Sequence, residues 1–355
     1  MLNHFLRSLI DWVFRRRSVG ASLIKAGLSM YVLVLASLAV RVIVPTSKGP
    51  FFFSWDTTGG AASLSWGVFL VATAIVALGA FLVIRDFRRE SREKVIVIEA
   101  RGLRDWQGEP LDKTVPITIR GRRDAFVVDV RQGLVDGQIV SPERVLQKLA
   151  GVPDDIARRT GGHDRADVSF VLGGLAPVPL LFLLGVIVDD EHRTLFMDWD
   201  RKAHIWRRLD EDDDGRRFDV AGLGAVVGTT RVALCVSASY DVLEADVRLV
   251  EPTAPIVRMD LQDRSTASHW SDQKQQQLAQ QFLDTAMSLA RQGVTEIALF
   301  LAAPASLSLR LGTVYDKRNL PGVIVNQFEQ ADPRKFPWAV RMPVAGLATP
   351  QLVQR

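Results

Sequence analysis

The densest run of titratable side chains lies between residues 189 and 204, where Asp189, Asp190, Glu191 and His192 are followed by Asp198, Asp200 and His204. Carboxylates and imidazoles in that mix suit a divalent cation. Their spacing does not: neither an HExxH pair nor an EF-hand loop is present, and Asp198 and Asp200 flank Trp199 in a strand-like TLFMDWD. The run therefore reads as a solvated or subunit-facing acidic surface, with no metal. Residues 210–214 (DEDDD), ahead of Gly215, read as a connecting loop. Gly222, Gly224 and Gly228 stand before a strand rather than opening a helix after one, the wrong setting for a dinucleotide. The single cysteine, Cys235, excludes a disulfide framework and a CxxC metal site. No Ser/His/Asp or Cys/His set declares itself among five scattered histidines, so no catalytic residue is expected and the chain reads as a non-enzyme.

What does recur is a turn. Residues 176–189 (APVPLLFLLGVIVD) and 303–316 (APASLSLRLGTVYD) are identical at Ala176/Ala303, Pro177/Pro304, Leu180/Leu307, Leu184/Leu311, Gly185/Gly312 and Asp189/Asp316. Each copy follows an apolar run of strand type, VSFVLGGL (168–175) or EIALFLAA (296–303), and precedes another, TLFMDWD (194–200) or GVIVNQFE (322–329). Such a turn sits at a strand's C-terminal end just before a helix, the edge where open α/β sheets bind ligands. Exposed N–H groups and the helix dipole favour an anion there. Ala-Pro is also ordinary helix-start chemistry, so one copy says little. Two copies suggest a cleft with two anion sites, suited to a symmetric or cyclic phosphodiester. The candidate contacts are Ala176, Pro177, Val178, Ala303, Pro304, Ala305 and Ser306. Arg131 and Arg264 close equivalent strands and could pair with phosphates. Asn326 and Gln327 could read a base edge. Trp199 and Trp206 could stack a base, although core packing is the commoner fate of tryptophan.

The elements that must position these residues form a duplicated set. VIVIEAR (95–101) and AFVVDVR (125–131) lead to a helix from Ser141 to Gly151; VALCVSASYD (232–241) and PIVRMDLQD (255–263) lead to a helix from Ser271 to Gly293. Each half reads as strand–strand–helix–strand–helix–strand, an α/β pattern related by pseudo-twofold duplication. Residues 168–188 are uncharged and long enough to cross a bilayer. Their prolines and glycines, their acidic flanks and their likeness to the polar 303–316 copy argue for a buried strand and helix instead.

The chain is 48% hydrophobic, and the excess lies before residue 85. Residues 26–40 carry no charge, and the apolar run resumes after Arg41 to Val44; residues 64–84 are uncharged throughout. Both read as spans. Arg15, Arg16, Arg17 and Lys25 precede the first, and Arg85, Arg88, Arg89, Arg92 and Lys94 follow the second, while the loop between them holds Lys48 and Asp56. The positive-inside rule then puts both termini in the cytoplasm. Residues 4–14 read as an interfacial helix or a disordered basic leader. Small residues Ala72, Thr73, Ala77, Gly79 and Ala80 allow close packing of the spans. A net charge of only +4 suggests no DNA or RNA polymer as partner.

The segment EIALFLAAPASLSLRLGTVYDKRNLPGVIVNQFE, with VALCVSAS before it, resembles the core of the SAVED domain, the sensor module of effectors in bacterial cyclic-oligonucleotide antiphage (CBASS) systems. With the two spans, the whole chain resembles the two-transmembrane SAVED effectors. The resemblance implies an α/β fold: an N-terminal transmembrane helical hairpin plus a SAVED-like domain made of two fused CARF-like (Rossmann-like) units. The expected boundaries are 1–25 for the basic leader, 26–84 for the spans, 85–94 for a charged linker, 95–215 and 216–345 for the two units, and 346–355 for a tail. It implies as ligand a cyclic di- or trinucleotide made by a partner cyclic nucleotidyltransferase. It further implies a homo-oligomer on ligand binding, and disruption of the lipid bilayer of the inner membrane. A membrane-anchored sensor that signals without a leak, and an enzyme that destroys the messenger, remain as alternatives.

Overall fold

A computed structural model describes residues 19–36, 40–46, 49–55, 62–102, 108–135, 138–189, 193–262, 264–267, 269–344, 346 and 349–355. The expected interfacial helix at 4–14, Arg15 to Arg17, Lys48, Asp56, and the Asp190, Glu191 and His192 of the acidic run lie outside these residues. The chain divides into two compact units, Met1–Arg92 and Glu93–Arg355.

In the first unit helix α1 (Val19–Ala36) leads to a hairpin of β1 (Val40–Thr46) and β2 (Gly49–Trp55), paired from Val40↔Trp55 to Thr46↔Gly49, and then to helix α2 (Ala62–Arg92). This corrects the reading of a first span running from residue 26 to 44. The helix begins earlier, so Lys25 lies inside it rather than on its flank. Hydropathy sums leave open whether an apolar run is helix or strand; the β-branched VRVIV and the aromatic FFF opposite it have strand propensity. The two helices pack antiparallel and close. A Cβ on Gly20 would stand 2.9 Å from the Gly79 carbonyl oxygen, and one on Gly27 would stand 3.1 Å from that of Ala72, whose side chain is fully buried. Tyr31 shares a 2.7 Å hydrogen bond with Thr73 and meets the Phe69 ring edge-on at 5.4 Å. Within α2, Gly67–Asp86 has mean hydropathy 2.7 over 20 residues, long and apolar enough to cross a bilayer.

The second unit carries two sheets of matching order. In the first, β4 (Arg122–Asp129), β3 (Lys94–Arg101), β7 (Val168–Leu175) and β8 (Arg193–Asp200) are parallel neighbours, and β9 (Ile205–Arg208) closes the edge antiparallel to β8. In the second, β12 (Ile256–Leu261), β11 (Arg231–Ser237), β13 (Glu296–Ala302) and β14 (Gly322–Gln327) repeat that order. There β15 (Trp338–Arg341) is antiparallel to β14, with β10 (Phe218–Ala221) and β16 (Gln351–Gln354) added at the two edges. A small hairpin pairs β5 (Leu134–Val135) with β6 (Gln138–Ile139). The connections match as well. A single turn of helix, α3 (Leu111–Thr114) or α7 (Glu244–Arg248), follows each first strand. Longer helices follow each second strand: α4 (Pro142–Ala150) and α5 (Val152–Thr160) in one half, α8 (Asp272–Arg291) in the other. The repeat motif itself supplies α6 (Val178–Val188) and α9 (Ala305–Thr313). Residues 168–188 are therefore a strand and a separate helix, broken at Ala176-Pro177.

Strand alternation sorts the core into layers. Ile96, Ile98 and Ala100 of β3 and Val232, Leu234 and Val236 of β11 face one shared core, together with the helices between the sheets. Val95 and Val97 face a separate outer cluster with Trp206, and Ala233 and Cys235 face another with Phe336. Of the eleven residues of α6, nine are buried, which accounts for a hydropathy that imitates a membrane span.

Candidate functional site

The repeated glycine explains the repeat. Helices α6 and α9 cross with no side chain between them. A Cβ on Gly185 would fall on the Leu309 carbonyl oxygen and 2.9 Å from the Gly312 Cα; one on Gly312 would fall on the Phe182 carbonyl oxygen and 3.0 Å from the Gly185 Cα. The contact is reciprocal, as a local pseudo-twofold axis requires. Each helix also reaches the other half: α6 packs on β14 and β15, and α9 on β7 and β8. Around this crossing Phe182 packs against Phe282 and Tyr315, at 6.2 and 6.1 Å between ring centres.

Both Ala-Pro turns sit at the C-terminal edge of their sheet, as the sequence implies. Gly102, just past β3, donates its N–H to Leu175 at 2.7 Å and lies so close to Ala176 that a Cβ would not fit. Ala238 and Ser239, just past β11, donate to Ala302 at 2.9 and 3.0 Å. Ala176, Pro177, Val178, Ala303, Pro304 and Ala305 are all half-buried, while Ser306 is fully buried.

The two turns are not chemically equal, however. In the first, Pro177 and Pro179 have no N–H, and the amides of Leu180 and Leu181 bond back to the Pro177 carbonyl at 3.0 and 3.1 Å. Val178 supplies the one remaining amide of that helix start. In the second, the Ser306 N–H donates to the Asp198 carboxylate at 2.9 Å. Asp198 comes from β8 of the opposite half and is 5% exposed. This corrects its reading as part of a solvated or subunit-facing acidic surface: it is a buried carboxylate held at a helix N-terminus, where both the orphan amide and the dipole favour it. His269 Nε2 stands 3.5 Å from the same carboxylate. Gln275, wholly buried, donates to the His269 carbonyl and to the Ser306 hydroxyl, both at 2.8 Å. Burial lowers the His269 pKa from its usual value against the pull of Asp198.

The remaining candidates are engaged within the chain. Arg131 forks onto Asp129 at 2.9 and 2.6 Å, and this pairing holds the Asp129 carboxyl below its usual range. Arg264 donates to the Asp241 carboxylate and to the Leu261 carbonyl. Asn326 is 1% exposed; its amide donates to Leu299 at 3.1 Å, and its oxygen accepts from Arg355 at 3.0 Å. Gln327 donates to the Phe328 carbonyl at 3.0 Å. Trp199 and Trp206 meet edge-to-face at 5.4 Å, and Trp206 is buried. The arrangement thus joins the second turn to Asp198, His269 and Gln275, three residues the sequence reading did not place there. The contacts of Gln275 and Asp198 with Ser306 span 31 and 108 positions and leave no local pattern.

Comparison with known proteins gives two family matches. Residues 152–342 match the family model described as the SMODS-associated and fused to various effectors sensor domain (SAVED), and residues 1–146 match the SAVED-fused 2TM effector domain. The division between the two matches runs through the first sheet, since β3 in the effector match pairs with β7 in the sensor match. No curated protein matches the chain. Among solved structures, the Acinetobacter baumannii Cap4 SAVED/CARF-domain containing receptor with the cyclic trinucleotide 2'3'3'-cAAA is 10% identical. It aligns with TM-score 0.47 over 79% of this chain and 60% of that one. The same receptor with 3'3'3'-cAAA gives 9% identity and TM-score 0.44 over 91% and 61%. The Moraxella osloensis Cap4 receptor gives 10% and 0.45 over 79% and 58%. The chain spans about 60% of the length of these receptors.

Proposed function

The chain belongs to the SAVED sensor-domain family, and from that premise we propose that it is a cyclic-oligonucleotide-gated antiphage effector. A cyclic di- or trinucleotide, supplied by a partner cyclic nucleotidyltransferase, binds the SAVED domain at the sheet edges bearing the Ala-Pro turns. Binding drives assembly of copies, and the helical pair α1–α2, inserted in the inner membrane with both termini cytoplasmic, opens a leak that kills the infected cell. The observation that carries this reading is the pairing in one chain of a sensor-domain match with a two-transmembrane effector match. It receives support from the tight α1–α2 packing and from a duplicated α/β core that carries an Ala-Pro turn at the C-terminal edge of each sheet. The protein carries no catalytic step in this reading.

The decisive experiment is reconstitution of the full chain in liposomes loaded with a self-quenched dye, followed by a panel of cyclic di- and trinucleotides. Dye release with one member supports the proposal; binding by thermal shift without release supports an anchored sensor that signals to another protein. That second reading is favoured by one fact: among the described residues only Gly67–Asp86 has the length and apolarity to cross a bilayer. No shift with any member removes the sensor reading. Reversing the charge at Arg264 should weaken binding by about 1.5–3 kcal/mol through loss of a charge-assisted hydrogen bond.

A further inference from the structure

An isoleucine at the start of the first sheet is turned out to solvent among arginines. Ile117 is 84% exposed, the highest value for a large hydrophobic side chain among the described residues. It stands in residues 115–123 (VPITIRGRR), which lead from α3 into β4 and carry Arg120, Arg122 and Arg123 with no acidic residue. All three arginines are exposed. The exposure of Ile117 is held in place from both sides. Val115, 3% exposed, belongs to the outer cluster with Val95 and Val97, and Ile119 packs against the same cluster. The Ile119 N–H donates to the Pro116 carbonyl at 3.1 Å, closing a turn, and the Arg123 guanidinium donates to that carbonyl at 2.9 Å. Ile117 is the tip of this turn.

The basic end of the loop is tied to the point where the chain leaves α2. The Arg122 N–H donates to the Glu93 carbonyl at 2.9 Å. Gly121 has a φ of +116°, and a Cβ there would stand 2.7 Å from the same oxygen. Glu93 directly follows Arg92, the last residue of α2. Whatever the angle between the two units, the loop's basic end therefore stays one residue from the end of that helix. Asp124, the next acid along the chain, is occupied by Lys94 at 3.1 Å and Arg159 at 2.5 Å. The apolar stretch of α2 ends at Asp86. Arg92 is six residues further, about 9 Å at the helical rise, and a headgroup layer is about 5–8 Å deep. A spanning α2 thus delivers the loop to the membrane surface.

We infer that the 115–123 loop docks on the cytoplasmic leaflet, with Arg120, Arg122 and Arg123 on anionic lipid headgroups and Ile117 inserted among them. This rests on the membrane insertion proposed above and deepens it. An apolar tip with a basic surround is the chemistry of an interfacial anchor. Each arginine near an anionic surface favours the docked state about fivefold, so the three together are worth on the order of a hundredfold. Burial of Ile117 adds about tenfold. Docking also orients the sensor. The strand β4 and its parallel neighbours start at this edge, so their far ends, where the first Ala-Pro turn lies, stand about 25 Å further from the headgroups.

The test places one thiol-linked dye at a time on the full chain, since the native Cys235 is fully buried. The positions are Thr118→Cys in the loop, Gln132→Cys past the far end of β4, and Leu78→Cys within α2. The protein is reconstituted in vesicles of phosphatidylcholine, alone or with phosphatidylglycerol, each with a lipid-borne nitroxide quencher in the headgroup or deep in the acyl chains. The expected result is headgroup quenching at Thr118 that needs phosphatidylglycerol and is lost in high salt, with Gln132 unquenched throughout. Replacing all three arginines by glutamine should lower the docked-to-free ratio on the order of a hundredfold, and Ile117→Ser about tenfold. All of these side chains are exposed, so the fold tolerates the changes. A Thr118 dye quenched equally with and without phosphatidylglycerol, or indifferent to the triple variant, overturns the inference. So does an unquenched Thr118 beside a Leu78 dye quenched from the acyl chains, and the membrane reading then stands. A Leu78 dye that meets no quencher removes that reading and this inference with it.

Discussion

Replacing Gly185 by alanine sets two energies of opposite sign against each other. In a helix interior glycine is worse than alanine by about 1 kcal/mol, so propensity alone predicts a stabilised protein. The crossing predicts the reverse. The new Cβ would land on the Leu309 carbonyl oxygen and press on Gly312, and all of these are backbone atoms that no rotamer change can move aside. Relief requires α6 and α9 to separate, which loosens Phe182 from Phe282 and Tyr315 at the centre of the shared core. Overpacking of a dense core costs about 1–3 kcal/mol, and a backbone-to-backbone clash belongs at the upper end. The net expectation is a loss of about 2 kcal/mol for Gly185→Ala, and the same for Gly312→Ala. The double variant should lose less than the sum, by about 1 kcal/mol, because helices already separated accommodate the second methyl. Urea midpoints of the full chain in detergent, read by tryptophan fluorescence, measure all three. A gain of about 1 kcal/mol for either single variant, or strict additivity of the pair, would refute the reciprocal crossing and the pseudo-twofold argument built on it.

Burial sets the His269 pKa below 6.5, so the unfolded chain takes up a proton that the folded chain resists. The unfolded state then binds more protons as pH falls, and stability present above about 6.5 is lost below it; the urea midpoint should fall between pH 7 and 5.5, and His269→Gln should flatten that slope. Cys235 is fully buried, and burial pushes its thiol up to about 12, so a maleimide should label it only after denaturation; fast labelling of native protein would contradict the outer layer described for β11. Arg310, 7% exposed, pairs with Asp272 and lies 4.2 Å over the Phe196 ring. Arg310→Ala should cost about 2–3 kcal/mol by loss of both contacts, and Arg310→Lys roughly half that, since lysine keeps the charge without the flat fork; equal midpoints for all three proteins would show the pair to be inert.

The repeat was legible because several of the residues that recur answer local demands of the fold: a proline at each helix start, two leucines in the core, and a glycine where two backbones touch. Such requirements fix residue type locally, so they survive in the letters. Strand and helix order was legible for the same reason, through alternation and through punctuation by Ser141-Pro142, Ser271 and the Ala-Pro pairs. The limits of α1 were not. A window of apolar residues measures transfer into lipid, and it does not distinguish the helix at Val19–Ala36 from the β-branched strand at Val40–Thr46. Neither was the burial of Asp198. Its neighbour along the strand, Trp199, reads as a core residue, which by alternation turns Asp198 the other way, and its partner Ser306 is 108 positions away. The inequality of the two turns was partly visible, since Pro-Val-Pro removes amides at sight, whereas only the fold reveals that the other turn is filled from the opposite half.

That inequality bears directly on how a guest could bind. An anion arriving at the second turn meets a helix start whose Ser306 amide already holds the Asp198 carboxylate, with His269 and Gln275 fastening the surroundings. Two negative groups about 4 Å apart repel by about 4 kcal/mol at the effective dielectric of a partly buried site. A phosphate that binds there must therefore displace Asp198 or tolerate it. Asp198→Asn keeps the shape and an oxygen for the Ser306 amide while removing the charge, so it should tighten binding of whichever cyclic nucleotide the panel identifies by at least about tenfold, some 1.4 kcal/mol of the calculated repulsion. Isothermal titration of wild type and variant decides it. If Asp198→Asn leaves affinity unchanged while Arg131 or Arg264 variants reduce it, the guest lies along the arginine-bearing strand ends and Asp198 serves only to fasten one half of the domain to the other.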